Sequence, residues 1–93
     1  DMVALGLMSR LADRGVRVPD EMSVVGFDDI EVASMTSPPL TTVAIPVDTV
    51  AKASAALLLS LLAETTPQRP AAQELATRLV IRNTTGVPKE DRI

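Results

Sequence analysis

One short apolar run constrains the fold of this chain more than any other feature. The residues from Met22 to Phe27 are apolar apart from Ser23, and two aspartates, Asp28 and Asp29, follow them directly. A run of this length without regular alternation is typical of a strand that is covered on both faces. Such strands occur in parallel sheets flanked by helices, where neither face of the sheet meets water. The run therefore predicts an α/β fold.

A helix is predicted on each side of this run. Asp1 is a suitable N-cap for a first helix from Met2 to about Arg14, and Gly15 is placed to end that helix in the left-handed conformation. Residues 41–45 are rich in β-branched side chains and predict a second strand. Asp48 then caps a predicted second helix that runs to about Glu64.

The remaining segments predict a short helical turn and a last strand. Asp29 is placed to cap a turn of helix from Ile30 to Met35, and Ser37-Pro38-Pro39 forces an extended exit from it. Residues 74–82 alternate, which predicts a strand that is half exposed or at the edge of a sheet, with one face formed by Leu75, Thr77, Leu79 and Ile81. The order helix, strand, turn, strand, helix, strand supports an α/β architecture.

The first helix carries two apolar stripes where one core needs a single stripe. Ala4, Leu7 and Leu11 form the first stripe, and the second, rotated by roughly 100°, consists of Leu5, Met8 and Ala12. Two explanations are equally supported by this periodicity. The helix is buried deeply within its own domain, or its second stripe contacts another subunit.

The composition excludes several kinds of chemistry. The chain has 93 residues and contains neither cysteine nor histidine, which excludes disulfides, thiol chemistry and most transition-metal sites. Its four glycines are isolated, so no phosphate-binding glycine loop is present. The net charge of −3 gives no attraction to nucleic acid, and the apolar run from Ala55 to Leu59 is too short to cross a membrane. We therefore expect no enzyme activity, metal or cofactor, and no membrane or nucleic-acid contact by this segment.

Asp28 is the strongest candidate for contact with a ligand. In open α/β sheets, ligands bind beyond the carboxyl ends of the parallel strands, and Asp28 directly follows such a predicted end. A carboxylate there can accept hydrogen bonds from neighbouring sugar hydroxyls or pair with a ligand cation. A role as a turn or cap residue is the common alternative for two aspartates after a strand. Acid–base catalysis by Asp28 and Asp29 is disfavoured because adjacent side chains point in different directions.

Four segments of the chain resemble, in order and spacing, the C-terminal half of LacI-family (lactose-repressor-like) transcription regulators. The opening Asp1-Met2-Val3-Ala4-Leu5-Gly6 is similar to the family's Asn-Asp-x-x-Ala-x-Gly helix start, without the Asn. The end, Arg82-Asn83-Thr84-Thr85, is similar to the family's terminal Arg-x-Ser-Thr. The two central segments run from Val18 to Ile30 and from Ser37 to Val43. The resemblance spans nearly the whole chain.

This resemblance implies a fold and a division of the chain. The fold would be the α/β, two-lobed fold of periplasmic-binding-protein-like domains, with parallel sheets flanked by helices. Residues 1–45 would lie mainly in the C-terminal lobe, residues 46–70 mainly in the N-terminal lobe, and residues 71–93 again in the C-terminal lobe, with crossings near Pro46 and Pro70. The family's DNA-binding domain would lie outside this sequence, and we expect the natural protein to be several times longer.

The resemblance also assigns residues to a pocket and to a dimer interface. Asp28 matches an aspartate that contacts the effector in many members, Ile45 a position that is often Gln, and Val47 a pocket-wall position that is often aromatic. The pocket would then be less polar or less aromatic than in typical sugar-binding members. The first helix and the segment after Asp29 would form a homodimer interface. This favours the explanation in which the second apolar stripe of the helix contacts another subunit. The candidate interface residues are Leu5, Met8, Ser9, Val32, Met35 and Thr36.

The function implied is that of a cytoplasmic, allosteric repressor. It would bind a sugar or related metabolite and transmit the response through its dimer to helix-turn-helix heads. The alternative from another class is a periplasmic sugar-binding protein of a transport system, which shares the two-lobed fold. The Pro-Pro-Leu-Thr-Thr stretch at 38–42 and the interface-like first helix favour the regulator. An enzyme has little support because no activated nucleophile or metal site is visible.

Overall fold

The computed structural model describes residues 1–64 and 72–88 of the chain. Its elements, in order, are helix α1 (Met2–Asp13), a 3-10 helix (Glu31–Ser34), strand β1 (Thr42–Ala44), helix α2 (Val47–Ala63) and strand β2 (Arg78–Val80). None of the described helices combines the length and the apolar composition that crossing a bilayer requires.

The chain forms two compact units. The first contains residues 1–45 and those from Arg78 onward, and the second contains residues 46–77. The assignment of these segments to the two lobes of a larger domain stays a prediction. The predicted crossing near Pro70 lies outside the described residues.

Helix α1 begins and ends where the local sequence predicts. It ends at Asp13, and Gly15 follows with a φ of +73°, a conformation that glycine adopts without steric cost. Asp1 occupies the N-cap position, but its side chain makes no capping hydrogen bond. The N-cap position of Asp1 is therefore confirmed without the side-chain capping bond, and its carboxylate instead bonds Ile30 and Thr42, which are distant in the sequence.

The buried face of α1 combines parts of both apolar stripes. Ala4 is buried, and Leu5, Met8 and Leu11 pack against the small core that Ala4 forms with Val24, Ala33 and Leu40. Leu7, from the first stripe, remains 46% exposed. The helix therefore turns a face centred between the two stripes toward its own core.

The described sheet has two strands, and β1 pairs with β2 in antiparallel register, Thr42 opposite Val80 and Ala44 opposite Arg78. The segment predicted as a strand over 22–27 does not form a regular strand. It runs parallel to β1 through isolated bridges from Val25 to Thr41 and from Asp28 to Ala44. The amides of Gly26 and Asp28 donate to the carbonyls of Thr41 and Val43, whereas the amide of Val24 donates to the carbonyl of Thr84.

The expectation that this segment is covered on both faces is wrong for the described part of the chain. Val24 is buried against the core, at 5% exposure, whereas Val25 and Phe27 are each 52% exposed. Successive side chains of an extended segment point to opposite faces, and Val25 and Phe27 share the face opposite Val24. No described element of the first unit covers that face fully enough to bury them.

Two predicted caps and one strand differ in detail. Helix α2 begins at Val47 with Pro46 at the N-cap position, so Asp48 lies inside its first turn, where it pairs with Lys52 at 3.0 Å. The turn predicted over residues 30–35 is a 3-10 helix whose N-cap position is Ile30, not Asp29. The last strand is shorter than predicted. Its Leu79 and the following Ile81 are 56% and 72% exposed, so the apolar face that the alternating pattern predicted is not covered by the described residues.

Within the second unit, α2 has no fully buried side chain. Its half-buried side chains are Val50, Ala53, Leu57 and Leu61. Val50 and Leu57 line a shallow cleft of about 330 Å³ together with Gln73 and Leu75 of the same unit. The apolar stripe of α2 therefore meets only a short extended segment in this part of the chain.

Candidate functional site

The turn from Phe27 to Ile30 holds the predicted ligand residue in an uncommon backbone conformation. Asp28 has a φ of 121° and Asp29 a φ of 55°. Residues other than glycine rarely adopt positive φ, although aspartate tolerates it better than most. Two consecutive residues of this kind need support from outside the turn.

Asp28 lies where the strand-end argument places it. Its amide donates to the carbonyl of Val43 at 2.9 Å, and it bridges Ala44 in parallel, so it ends the pairing of its segment with β1. The side chain is exposed, and its carboxylate makes no hydrogen bond to any residue in the described ranges. Asp28 is thus an acceptor with its hydrogen-bonding capacity available to a ligand.

Asp1 joins the two ends of the same turn. Its main-chain nitrogen donates to the carbonyl of Phe27 at 3.0 Å, and its Oδ2 accepts from the amide of Ile30 at 2.8 Å. Its Oδ1 accepts a hydrogen bond of 2.6 Å from the hydroxyl of Thr42. The carboxylate that the sequence predicted as a helix cap therefore connects the start of α1 to the turn and to β1.

Asp29 is engaged inside the fold and does not cap a helix. Its Oδ1 lies 2.7 Å from Nη2 of Arg82, with only 24% and 19% of the two side chains exposed. Its amide donates to the Thr42 hydroxyl at 3.3 Å. Arg82 uses its other terminal nitrogen to donate to the carbonyl of Leu40 at 2.9 Å. Both side chains are mostly buried, so this ion pair is the least exposed to solvent in the described part of the chain.

Two buried threonines connect the last described segment to the sheet. The Thr84 hydroxyl donates to the carbonyl of Val24 at 2.6 Å and accepts from the amide of Thr41 at 2.9 Å. The Thr41 hydroxyl accepts from the amide of Arg82 at 2.9 Å. Within residues 1–64 and 72–88, every buried side-chain nitrogen and oxygen has a hydrogen-bond partner. This network is therefore complete without a ligand.

Gly26 allows the network to close. A Cβ at this position would overlap the Asp1 carboxylate and would lie 2.8 Å from a methyl group of Leu40. Cβ atoms do not approach other heavy atoms so closely, so one of these groups would have to move. The glycine lets the Asp1 carboxylate lie directly against the backbone of the 22–28 segment.

The structure places the three predicted pocket residues in different units. Asp28 and Ile45 belong to the first unit, where Asp28 bridges Ala44, the residue before Ile45. Ile45 is half-buried. Val47 begins α2 in the second unit and is 67% exposed. In the described residues, no three acidic side chains gather in the way that metal ligands do.

Four of the six predicted interface residues line one cleft of the first unit, which we name the α1 cleft. It has a volume of about 680 Å³, and its walls include Leu5, Met8, Ser9 and Thr36. Val32 and Met35 lie outside its lining and are 47% and 73% exposed. At one wall of the cleft, the hydrogen bond from Arg17 to Glu21, together with the charges of Glu21 and Asp20, raises the pKa of Arg17.

Sequence reasoning missed the contacts of Asp1, Asp29, Thr42 and Arg82 that hold the turn, and the separate structural role of Thr84 between the last described segment and the sheet. Arg82 and Thr84 stand in the terminal motif on which the family resemblance rests, which is the one signal that singled them out. Their partners are 41 to 60 residues away in the chain, so no local pattern could identify them.

The chain was then compared with known proteins. A family model described as a periplasmic binding protein-like domain matches residues 1–85. The chain is 44% identical over 84 residues to the HTH-type transcriptional repressor PurR of Vibrio parahaemolyticus, which covers 90% of this chain and 25% of the repressor. The chain therefore spans about a quarter of the length of that relative.

Solved structures agree with this match. The LacI family transcriptional regulator of Enterococcus faecalis, solved with bound ribose, superposes with a TM-score of 0.79 at 34% identity and covers 96% of this chain and 33% of its own. The transcription regulator CcpA of Lactococcus lactis superposes with a TM-score of 0.77 at 30% identity, over 92% of this chain and 31% of its own. These comparisons confirm the expected α/β fold class.

The structural neighbours are regulators of transcription, and the family match covers both the turn that holds Asp28 and the terminal Arg82 to Thr84 segment. The chain belongs to the periplasmic-binding-protein-like domain family, in the branch formed by the effector-binding domains of LacI-family transcriptional regulators.

Proposed function

We propose that this chain supplies an effector-contacting aspartate and a dimerising surface to a LacI-family transcription regulator, called below the full-length regulator. The relatives it matches are regulators of transcription, and the chain covers a quarter to a third of their length. The chain acts in a binding module and has no catalytic role in this proposal. The full-length regulator would bind DNA through a domain outside this sequence and would work in the cytoplasm, where its operator is.

Asp28 carries the proposal for the effector site. It ends a segment that runs parallel to β1, and its exposed carboxylate has no partner among the described residues. Ligands of open α/β sheets bind beyond such strand ends. A carboxylate accepts hydrogen bonds at both oxygens, which suits the neighbouring hydroxyls of a sugar. Ribose is bound in the E. faecalis neighbour. A sugar is therefore our first choice of effector, with Ile45 and Val47 as further predicted contacts.

The response to the effector would be a shift between two conformations of the domain. A ligand changes such an equilibrium only when it binds one state more tightly than the other. In this proposal the effector prefers one arrangement of the two lobes, and the dimer transmits the change to the DNA-binding domains.

The α1 cleft supports the proposed homodimer. Leu5 and Met8 are only half-buried within the chain, although both are large and apolar. Together with Ser9 and Thr36 they border an open cleft next to the exposed Val32 and Met35. An apolar surface of this kind on a soluble domain is typical of a protein contact.

The test of the effector site is isothermal titration calorimetry on the full-length regulator. Ribose is the first ligand, and a thermal-shift screen of further sugars and of purine bases supplies the ligand if ribose does not bind. We expect Asp28→Ala to weaken binding by more than about tenfold, since a charged hydrogen-bond partner contributes over 1.4 kcal/mol. Asp13→Ala, which removes an exposed aspartate of α1, is the matched control and should leave affinity unchanged. Unchanged affinity of the Asp28 variant would show that the site assignment is wrong.

A further inference from the structure

The direction of the Asp28 side chain is set by residues that do not belong to its turn. Asp28 itself makes one main-chain hydrogen bond, to Val43, and its carboxylate contacts no described partner. Its φ of 121° and the φ of 55° at Asp29 are conformations that an isolated turn of two aspartates would rarely keep. Some other group must hold the peptide between Asp28 and Asp29 in this orientation.

Asp29 is the point at which the surrounding fold holds the turn. Its carboxylate is paired with Arg82 at 2.7 Å, and its amide donates to Thr42 at 3.3 Å. Thr42 is completely buried in β1, and Arg82 is fixed independently by its amide on Thr41 and its second guanidinium nitrogen on Leu40. Thr42 and Arg82 are therefore both held in place by contacts that do not involve Asp29. They bond Asp29 from two different segments of the first unit.

We propose that Asp29 and Arg82 are positioning residues for the effector, because their ion pair fixes the turn that presents the Asp28 carboxylate. This inference rests on the proposed function, in which Asp28 contacts the effector. Asp29 touches no ligand in this arrangement. When its carboxylate is removed, the turn keeps only its bonds to Asp1, Thr42 and Val43. The peptide between Asp28 and Asp29 is then held less firmly, and the Asp28 carboxylate samples other directions.

A purely structural role for the pair would give a different result. Arg82 keeps its bonds to Leu40 and Thr41 when only the Asp29 carboxylate is lost, so the contacts between the last segment and the sheet remain. Loss of the Asp29 carboxylate also leaves the mostly buried Arg82 charge without its partner, so Asp29→Ala should lower stability as well as ligand affinity. A purely structural role would lower stability alone. Thr84→Val provides the opposite case, since it breaks the buried bonds to Val24 and Thr41 without touching the turn.

The experiment is a double-mutant cycle on the full-length regulator, with ribose titrated by calorimetry and the melting temperature measured for each variant. We expect Asp29→Ala to weaken ribose binding about tenfold, the smaller of the losses seen when a group that orients a metal ligand, without touching the metal, is removed. Asp29→Asn keeps an acceptor for Arg82 and tolerates positive φ, so it should retain most of the affinity. Thr84→Val should lower the melting temperature and leave ribose affinity unchanged.

The cycle separates this inference from the proposed function. If Asp29 acts through Asp28, adding Asp29→Ala to Asp28→Ala should weaken binding no further. Native affinity of Asp29→Ala, or an equal loss with and without Asp28, would overturn the positioning role while leaving Asp28 as the contact. Native affinity of Asp28→Ala would instead overturn the proposed effector site, and the positioning role with it.

Discussion

The hydroxyl of Thr84 lies 2.6 Å from the carbonyl oxygen of Val24, to which it donates a hydrogen bond across 60 residues of sequence. The hydroxyl oxygen of Thr84 also accepts from the amide of Thr41, so one buried side chain satisfies two main-chain groups of neighbouring segments. Neither segment offers these groups another partner in the described residues. The Thr84 side chain therefore takes the place of a main-chain hydrogen bond between the segments of Val24 and Thr41, which do not pair directly at this point.

We predict that Thr84→Val destabilises the protein by about 2–6 kcal/mol. Valine has the shape of threonine but leaves the Val24 carbonyl and the Thr41 amide buried without partners, and each such group costs about 1–3 kcal/mol. Thr84→Ser keeps the hydroxyl and loses one methyl group, which costs about 1 kcal/mol. Chemical denaturation of the full-length regulator measures both. A serine variant less stable than the valine variant would contradict this account.

Gly26→Ala should destabilise the protein by about 1–3 kcal/mol, the usual cost of overpacking a filled space. The added methyl group would overlap the Asp1 carboxylate and press on Leu40. Gly6→Ala is the control with the opposite expected sign. A Cβ at Gly6 meets no heavy atom within 4 Å, and the position lies inside α1. Alanine there should stabilise by about 0.5–1 kcal/mol. Melting temperatures of the two variants that move in the same direction would contradict the prediction.

Ser9→Glu should dissociate the proposed dimer. Ser9 is exposed and lines the α1 cleft but is not among the residues that pack on the core, so a charge there should disturb the interface and spare the fold. Arg10→Glu introduces the same side chain at the next position, about 100° around the helix, outside the cleft. Sedimentation equilibrium of both variants of the full-length regulator gives their masses. A Ser9→Glu variant that keeps the native mass would remove the α1 cleft from the interface.

Asp48→Ala should change stability by no more than about 0.5 kcal/mol. Asp48 lies inside the first turn of α2, and its ion pair with Lys52 is exposed on both sides. Exposed pairs at this helical spacing contribute about 0.3–0.5 kcal/mol. A capping aspartate would contribute about 1 kcal/mol and often more. Denaturation in low and in high salt distinguishes an exposed ion pair from a cap. A loss of stability above about 0.5 kcal/mol that persists at high salt would indicate a cap.

The sequence predicted the elements whose signals are local. Periodicity and helix-breaking residues correctly indicated helix α1, strand β1 within residues 41–45 and helix α2. Gly15 lies just beyond the end of α1, as predicted. The side-chain capping bonds expected of Asp1 and Asp29 are absent for a shared reason. An acidic residue before a helix has a local role by default, but here each carboxylate has a distant partner, such as Arg82 at 53 residues from Asp29. Local patterns contain no information on such pairs.

The place of Asp28 at the end of its segment could be predicted, whereas its backbone conformation could not, and its role as a ligand contact stays a prediction. The strand-end rule identified Asp28, and the structure places it at the end of the segment parallel to β1. Its positive φ depends on Asp29, Thr42 and Arg82, which come together only when the sheet has formed. The covered strand was predicted from an apolar run, and the exposure of Val25 and Phe27 could not be read from that run. Burial depends on which other elements are present.

Thr41 directly precedes β1 and Thr42 begins it, and their hydroxyls bond different segments. The Thr41 hydroxyl accepts from the amide of Arg82, and the Thr42 hydroxyl bonds Asp1 and Asp29. Both side chains are almost completely buried, so their shape alone would suggest that valine could replace them. The consequence concerns mutational tolerance. In a saturation library, these two positions should accept serine before valine, the reverse of the order expected from strand propensity and from the volume of the side chain.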